Sequence, residues 1–318
     1  MYLLELVGDD DAFAVREAES RASAPELVAP GIATARGIDR PETLAYTRRI
    51  CRLLGTCDPG IDAAGAVVTA AGIERTGTVA VRARDVRGRS GVDTQAAERR
   101  LGGRLVDRGF DVDLDDPDHT LVALFSAGLA AVGWLETETV RDFSARKPTE
   151  KPFFQPGSMA PMDARAISNI AGAAPRKRLL DPMCGTGGVL VEAGLAGATV
   201  VGVDAQRKMV RGAAHNLDAY LGEGAVLRGD ATRLPFHEDR FDGAVFDAPY
   251  GRQSKIAGGS LEDLVGETLS EVRRVAARAV VVGDRPWNAA AEAAGWTVTD
   301  RFDRRVHGSL VRYVHVLR

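Results

Sequence analysis

Two periods of apolar and polar residues alternate along the first half of the chain. Alternation at every second residue predicts strands, and apolar residues three and four positions apart predict helices. Strands are expected at residues 2–7, 27–35, 78–84, 112–114 and 120–125, and helices at residues 11–21, 41–54 and 93–108. This order predicts an α+β module. Both periods are lost between about residues 138 and 152, which predicts an interdomain linker.

A different order follows the linker. Apolar strands and amphipathic helices alternate in repeated βα units, which predict a doubly wound, mainly parallel, Rossmann-like sheet. The strands are expected to end near residues 180, 203, 227, 246, 282, 302 and 317. The last two form a hairpin through His307 and Gly308, so the final strand is expected to be antiparallel. The predicted fold class is therefore α/β, preceded by an N-terminal α+β module.

Four successive strands of the predicted sheet are each followed by an aspartate. They are Asp181, Asp204, Asp230 and Asp247. In a doubly wound sheet, ligands bind at the carboxyl ends of the strands, so these side chains are candidates for one site. Capping of the following helices would explain any one of them and is the structural alternative for the set.

The loop after the first of these strands is a glycine-rich turn that opens a helix, so its backbone amides can approach a ligand closely. About 20 residues later, Asp204 has the spacing of a carboxylate that accepts hydrogen bonds from ribose hydroxyls. Nicotinamide enzymes share that spacing, but their first glycine comes sooner. Asp230 suits an adenine amino group, so adenosine without a pyrophosphate fits better. The candidate cofactor residues are Asp181, Cys184, Gly185, Gly187, Asp204, Asp230 and Ala231.

The loop after the fourth strand predicts the reaction class. An exocyclic base amine is a poor nucleophile, because its lone pair is delocalised into the ring. Hydrogen bonds from its N–H groups to the Asp247 carboxylate and the Ala248 carbonyl would make that lone pair available. Pro249 holds the carbonyl in place, Tyr250 offers a ring for stacking, and Gly251 leaves room for the base. The two loops together predict methylation of an amino group from S-adenosylmethionine.

Composition narrows the function classes without naming a partner. The 318 residues are 45% hydrophobic and 27% charged, as in soluble globular proteins, and the formal net charge of −3 does not by itself indicate nucleic-acid binding. The chain shows neither a basic leader nor an apolar stretch of membrane-spanning length, so we expect a cytoplasmic protein without a membrane partner. The three cysteines and five histidines lack ligand spacing, so we expect no metal.

Two motifs in the second half resemble those of a known enzyme class. Asp-Pro-Met-Cys-Gly-Thr-Gly-Gly at residues 181–188 and Asp-Ala-Pro-Tyr-Gly at residues 247–251 resemble the motifs of class I S-adenosylmethionine-dependent RNA methyltransferases. The second motif is similar to the (Asp/Asn)-Pro-Pro-Tyr signature of amino-group methyltransferases. It departs from that signature at Ala248, where proline is usual, so a looser turn is expected.

The first half resembles a THUMP domain behind a ferredoxin-like module, through residues 79–84 and 108–118. The whole chain resembles the archaeal THUMP-domain tRNA (guanine(10)-N2)-dimethyltransferase family. This resemblance implies a ferredoxin-like module at residues 1–55, a THUMP domain at 56–140, a linker at 141–152 and a methyltransferase domain at 153–318. It also implies that residues 153–159 help to close the cofactor site, although packing of the linker would explain them as well.

The resemblance implies tRNA as the partner, with transfer of methyl groups from S-adenosylmethionine to N2 of a guanine, first one and then a second. Eight arginines of the THUMP-like block are candidates for phosphate contacts or for ordinary surface ion pairs: Arg82, Arg84, Arg87, Arg89, Arg99, Arg100, Arg104 and Arg108. The alternatives are a guanine at another tRNA position such as 6, a DNA adenine-N6 or protein-glutamine methyltransferase, and a noncatalytic tRNA-binding protein. The sequence identifies no protein partner.

Overall fold

The computed structural model describes residues 1–250, 260–307 and 310–318, with the His307 side chain left out. Gly251, proposed above to leave room for a base, and the hairpin turn at Gly308 therefore lie outside the described residues. The chain divides into two compact units, Met1–Arg141 and Asp142–Arg318. Among the described residues, no helix is long and apolar enough to cross a membrane.

The first unit is built on a large sheet. Its strands are β1 (Tyr2–Leu6), β2 (Ala22–Ser23), β3 (Glu26–Ala29), β4 (Ile32–Ala35), β5 (Gly37–Ile38), β6 (Thr47–Cys57), β7 (Thr78–Asp85), β8 (Asp111–Val112), β9 (His119–Ser126) and β10 (Leu129–Glu138). Its helices are α1 (Asp11–Ala18), α2 (Ile61–Ala70) and α3 (Thr94–Val106). In the part of the chain that the structure describes, eight strands pair in the order β3-β4-β1-β6-β10-β9-β7-β8, and β2 pairs with β5.

Helix α3 illustrates how the sequence determines this unit. The Asp93 side chain accepts the Ala96 N–H at 3.0 Å and caps the first turn. Ala97, Leu101 and Leu105 then recur every four residues and are buried against the inner face of the sheet. The predicted helix at residues 93–108 is thus confirmed within two residues at each end.

The predicted helix at residues 41–54 is wrong. Apart from a short 3₁₀ turn at Pro41–Thr43, this region contributes strand β6. Apolar residues at positions 50, 53 and 54 have helical spacing, but β6 pairs with β1 on one side and β10 on the other. Arg49 and Arg52 form ion pairs with Glu138 and Glu136 of β10, so tertiary pairing overrides the local pattern. The boundary expected after residue 55 falls within this strand.

The second unit is a doubly wound sheet. Its strands are β11 (Arg178–Asp181), β12 (Thr199–Asp204), β13 (Ala225–Arg228), β14 (Gly243–Asp247), β15 (Ala279–Gly283), β16 (Val298–His307) and β17 (Leu310–Leu317). Its helices are α4 (Pro161–Ile170), α5 (Gly188–Leu195), α6 (Arg207–Leu221), α7 (Leu261–Val275) and α8 (Asn288–Ala293). Over the described residues, the strand order is β13-β12-β11-β14-β15-β17-β16.

The pairing of these strands confirms the predicted Rossmann-like sheet. β11 to β15 run parallel, whereas β17 is antiparallel to both β15 and β16. The chain moves from β11 outward to β13 and then returns to β14 on the other side of β11. This reversal leaves the topological switch point between β11 and β14, where ligands bind in open α/β sheets.

Candidate active site

The switch point brings two of the four aspartates together. Asp181 ends β11 and Asp247 ends β14, and the two strands are directly paired through Leu179 and Leu180 with Gly243 and Ala244. Asp181 is almost completely buried, and burial raises the pKa of its carboxyl well above the usual range, with smaller contributions from the charges of Asp204 and Asp247. Three carboxyl groups therefore share one electrostatic environment at this end of the sheet.

The turn between β11 and α5 is held by backbone hydrogen bonds. The Cys184 N–H donates to the Val203 carbonyl of β12 at 2.9 Å, and the Gly187 N–H donates to the Cys184 carbonyl at 2.7 Å. Gly187 has a φ of +74°, and a Cβ atom added there would lie 2.9 Å from the Leu217 side chain. Glycine is therefore required at 187, both by conformation and by space.

Gly185 leaves open space above the same turn. Its φ is +50°, and no atom of the described residues lies within 4 Å of where a Cβ atom would be. The Gly185 N–H donates to Asp204 Oδ2 at 3.0 Å, and the Gln206 N–H donates to Asp204 Oδ1 at 2.8 Å. The open turn beside an oriented carboxylate fits the methionine and ribose parts of S-adenosylmethionine.

Asp204 and Asp230 differ in their surroundings. Asp204 is half-buried, and burial raises the pKa of its carboxyl although the two backbone hydrogen bonds act to lower it. Asp230 is exposed, and its Oδ1 accepts the N–H and the hydroxyl of Thr232 at 2.9 and 2.8 Å. Oδ2 of Asp230 has no hydrogen-bond partner among the described residues, and the neighbouring Ala231 is buried. This arrangement leaves one carboxylate oxygen for an adenine amino group.

Hydrogen bonds hold the Asp247 loop at Ala248 and at Tyr250. The Ala248 N–H donates to the Val282 carbonyl of β15 at 2.8 Å, and Ala248 is buried. The Tyr250 hydroxyl donates to Asp247 Oδ1. Burial raises the pKa of Asp247 to about 6, although Arg312 and the Tyr250 hydroxyl act to lower it. Asp247 is thus mostly ionised at neutral pH and presents a carboxylate beside the glycine turn.

Two side chains that the sequence did not single out support these loops. Arg312 of β17 is buried and contacts Tyr250, as described further below. Asn216 of α6 is also buried: its Oδ1 accepts the Phe153 N–H at 2.9 Å, and its Nδ2 donates to the carbonyls of Phe153 and Thr186 at 2.8 Å each. Asn216 thereby joins the segment before α4 to the glycine turn, which supports a role of residues 153–159 in closing the cofactor site.

A signal for both side chains was present in the sequence. In β17, Arg312 lies two and four positions before the buried Val314 and Val316, so the three side chains lie on the same face of the strand. A charged residue therefore lies on the core-facing side of β17. In α6, Asn216 lies beside the buried Ala213 and Leu217 on the inner face of the helix. A polar residue in phase with buried positions indicates a hydrogen-bonding role, because burial without a partner is costly.

The comparisons with known proteins agree with this geometry. The family model UPF0020, described as the RMKL-like methyltransferase domain, matches residues 148–313. The chain is 34% identical to the tRNA (guanine(10)-N2)-dimethyltransferase of Methanothermobacter thermautotrophicus over 86% of this chain and 83% of that one. It is 33% identical to the enzyme of that name from Pyrococcus abyssi, over 76% and 74% of the two chains. TrmN from Thermus thermophilus shares the fold, with a TM-score of 0.52 at 22% identity and coverage of 100% and 99%.

Proposed function

Because the chain belongs to the S-adenosylmethionine-dependent methyltransferase family that contains the archaeal tRNA (guanine(10)-N2)-dimethyltransferases, we propose that it methylates N2 of guanine 10 in tRNA. The observation that carries this proposal is the position of Asp247 at the switch point, beside the open glycine turn. One loop fits the methyl donor, and the other offers acceptors for an amine. A tRNA substrate also supports a cytoplasmic location.

The proposed cofactor residues lie after the three strands β11, β12 and β13. When bound, S-adenosylmethionine supplies an electrophilic methyl group on its sulfonium. Gly185 and Gly187 shape the turn that admits it, with Cys184 packed beneath the turn against Gly202. The Asp204 carboxylate would accept hydrogen bonds from the ribose hydroxyls, and Asp230 with Ala231 would contact the adenine. The buried Asp181 accepts the Met183 N–H at 3.1 Å and keeps the turn in shape.

The substrate residues act on the guanine amine. Asp247 Oδ2 and the Ala248 carbonyl accept its two N–H groups, which orients the nitrogen lone pair toward the methyl group. Pro249 restricts the backbone of Ala248 to extended conformations, so the carbonyl keeps its direction. The Tyr250 ring provides a surface for stacking of the flipped base. After transfer, the Asp247 carboxylate is the acceptor for the proton that leaves the amine.

The second transfer places a specific demand on this site. After one methylation, guanine N2 keeps a single N–H group, so only one of the two acceptors can be used. The carboxylate is the stronger acceptor because it is charged. Asp247 therefore holds the monomethylated amine, and the new methyl group takes the direction of the Ala248 carbonyl.

The first unit supplies the proposed RNA-binding module. Five of its eight candidate arginines have partners within the unit: Arg84 pairs with Glu5, Arg87 with Asp11 and Arg100 with Asp62, whereas Arg82 and Arg108 donate to backbone carbonyls. Within the described residues, no hydrogen bond or ion pair reaches the guanidinium groups of the exposed Arg89 and Arg99 or of the half-buried Arg104. These three arginines are the candidates for phosphate contacts, in keeping with a THUMP domain that recognises RNA shape.

The test is methyl transfer itself. The protein is incubated with labelled S-adenosylmethionine and an unmodified tRNA transcript, and the digested tRNA is examined by mass spectrometry. Transcripts with the guanine at position 10 or 6 replaced locate the target. Dimethylguanosine that requires Asp247 and guanine 10 supports the proposal. Product at another position, or label only on DNA or protein, assigns the site to one of the alternatives, and cofactor binding without any product indicates a noncatalytic protein.

A further inference from the structure

Arg312 connects its own strand β17 with two other segments of the second unit, the substrate loop at residues 247–250 and the segment before α4. Its Nε donates to the Tyr250 hydroxyl oxygen at 3.0 Å, and its Nη2 donates to the Gly157 carbonyl at 3.2 Å. Nη2 also lies 3.9 Å from Asp247 Oδ2. The side chain is only 6% exposed. A buried guanidinium is costly unless its partners are in place, so this position strongly determines where the three segments can lie.

The chemistry of the Arg312 guanidinium determines which group donates in its hydrogen bond with Tyr250. A guanidinium has no acceptor, so the Tyr250 oxygen must accept the Arg312 Nε–H. The single hydroxyl proton of Tyr250 is then free to point in only one useful direction, toward Asp247 Oδ1. The ionised Asp247 carboxylate has no proton, so Tyr250 donates to it. The Arg312 Nε–H binds the same hydroxyl oxygen and thereby holds the Tyr250 hydroxyl in place beside the carboxylate.

This arrangement divides the two oxygens of Asp247 between different tasks. Oδ1 is occupied by the Tyr250 hydroxyl. The separation of 3.9 Å between Arg312 Nη2 and Oδ2 is too long for a hydrogen bond but short enough for charge attraction. Oδ2 is consequently held in one orientation, and no hydrogen-bond donor among the described residues reaches it, so it can accept an incoming N–H group.

We propose that Arg312 is a positioning residue for methyl transfer: through the Tyr250 hydroxyl it orients the Asp247 carboxylate so that Oδ2 faces the guanine amine. The same guanidinium binds the Gly157 carbonyl, so it also couples the segment before α4 to the substrate loop. This inference rests on the proposed function and deepens it. In this proposal Arg312 acts through Tyr250, Asp247 and Gly157.

The charges around Asp247 agree with this role. Burial has the largest effect on the Asp247 carboxyl and raises its pKa to about 6. Arg312 from β17 and the Tyr250 hydroxyl act to lower this pKa, and the charge of Asp284 after β15 acts to raise it. Asp181 from β11 faces the same group. Removing Arg312 takes away the cation, so the Asp247 pKa must move further up, and the acid limb of the pH–rate profile must move to higher pH with it.

The experiment compares Arg312→Met, Arg312→Lys, Tyr250→Phe and the Arg312→Met/Tyr250→Phe double variant. Arg301→Met is the matched control, because Arg301 lies on the adjacent β16, where it pairs with the exposed Asp303. Arg312→Met should lower kcat roughly 100-fold, the scale of a misplaced reacting group, whereas S-adenosylmethionine affinity should fall less than about threefold, because Asn216 still holds the segment before α4. Arg312→Lys should recover part of the loss, because lysine keeps the positive charge but lacks the several N–H donors of the planar guanidinium.

The double variant distinguishes positioning from general support of the fold. If Arg312 acts through the Tyr250 hydroxyl, the double variant should be no more than about twofold slower than the slower single variant. The acid limb of the pH–rate profile should shift to higher pH in Arg312→Met and in Tyr250→Phe and should stay in place in Arg301→Met. Additive losses, an unshifted acid limb, or a parallel loss of S-adenosylmethionine affinity would overturn the proposal.

A measurement without substrate separates this inference from the proposed function. Because the folded pKa of Asp247, about 6, exceeds its ordinary value of 3.8, the stability of the wild type relative to Asp247→Asn should fall as pH rises from about 4 through 6 and then level off. In the Arg312→Met background, the fall should continue to higher pH. An identical pH window in both backgrounds refutes the role of Arg312, whereas absence of tRNA methylation by the wild type refutes only the proposed function.

Discussion

The glycine turn and the Asp247 loop meet at one switch point but are held in place by different means. The glycine turn is fixed by its own backbone amides, which donate to Val203 and Asp204 of the neighbouring β12. The Asp247 loop has one backbone hydrogen bond, from Ala248 to Val282, but the orientation of its carboxylate depends on the side chains of Tyr250 and Arg312. Arg312 lies 62 residues beyond Tyr250. The cofactor half therefore depends on contacts with β12 and α6, which follow closely in the sequence, whereas the substrate half depends on the distant β17. Substitutions should affect the two halves separately.

Asp247→Ala should produce the largest difference between the loss of methyl-transfer rate and the loss of S-adenosylmethionine affinity. Loss of the carboxylate removes the charged acceptor for the amine, so methyl transfer should fall at least roughly 1000-fold. S-adenosylmethionine affinity should change less than about threefold, because the glycine turn does not depend on Asp247. Product formation and calorimetric binding measure the two quantities. Asp218→Ala, an exposed aspartate of α6, is the control. An equal loss of affinity and rate would show that the two halves are one unit.

Gly187→Ala should affect the other half. The new Cβ atom would lie 2.9 Å from Leu217 at a φ of +74°, so the turn must distort. Strain of this kind costs about 2 kcal/mol, and S-adenosylmethionine affinity should weaken roughly 30-fold while kcat at saturation changes little. Gly222→Ala is the matched control, because Gly222 ends α6 at a φ of +72° with no described atom within 4 Å. If Gly222→Ala weakens binding as much, the effect is general destabilisation.

A smaller effect should appear in the pH dependence of the substrate half. Methyl transfer needs the ionised Asp247 carboxylate, whose pKa is raised by burial to about 6. The value of kcat/KM for tRNA should therefore fall as pH decreases through 6 and be about tenfold lower at pH 5 than at pH 7. The residual activity of Asp247→Asn should lack this limb. A limb that persists in Asp247→Asn belongs to another group.

The contrast between the two halves also explains what the sequence could predict. The glycine turn and the positions of Asp181 and Asp204 at their strand ends could be predicted because the spacing is local: strand, turn, helix and the next strand follow one another within about 25 residues. The contacts of Arg312 and Asn216 were missed, because they depend on β17 and α6 meeting loops that are distant in sequence. Local periodicity predicts which face a residue lies on but not which loop it reaches.

The fold shows the same division. The parallel βα units of the second unit were predicted well, because each strand is a continuous apolar run and each helix has one buried face. In the first unit, β6 was predicted as a helix, because its apolar residues have helical spacing and its strand character comes from cross-strand pairing with β1 and β10. Helix α2 and strand β10 were also absent from the prediction. Pairing between distant strands is the information that local pattern lacks.

The smallest effect tests whether a carboxylate, rather than any polar side chain, is needed in the cofactor half. Asp204 accepts N–H groups on both oxygens, from Gly185 and from Gln206. Asp204→Asn can satisfy only one of them and leaves the other without an acceptor, at a cost of about 1 kcal/mol, so S-adenosylmethionine affinity should weaken roughly fivefold. Asp230→Asn keeps both bonds from Thr232 on one oxygen and replaces Oδ2 with an amide group, so it loses only the solvent-exposed contact with the adenine amino group and should weaken affinity about twofold. Equal effects in calorimetric titrations would mean that ligand contacts, and not the restraint of the glycine turn, determine affinity in this half of the site.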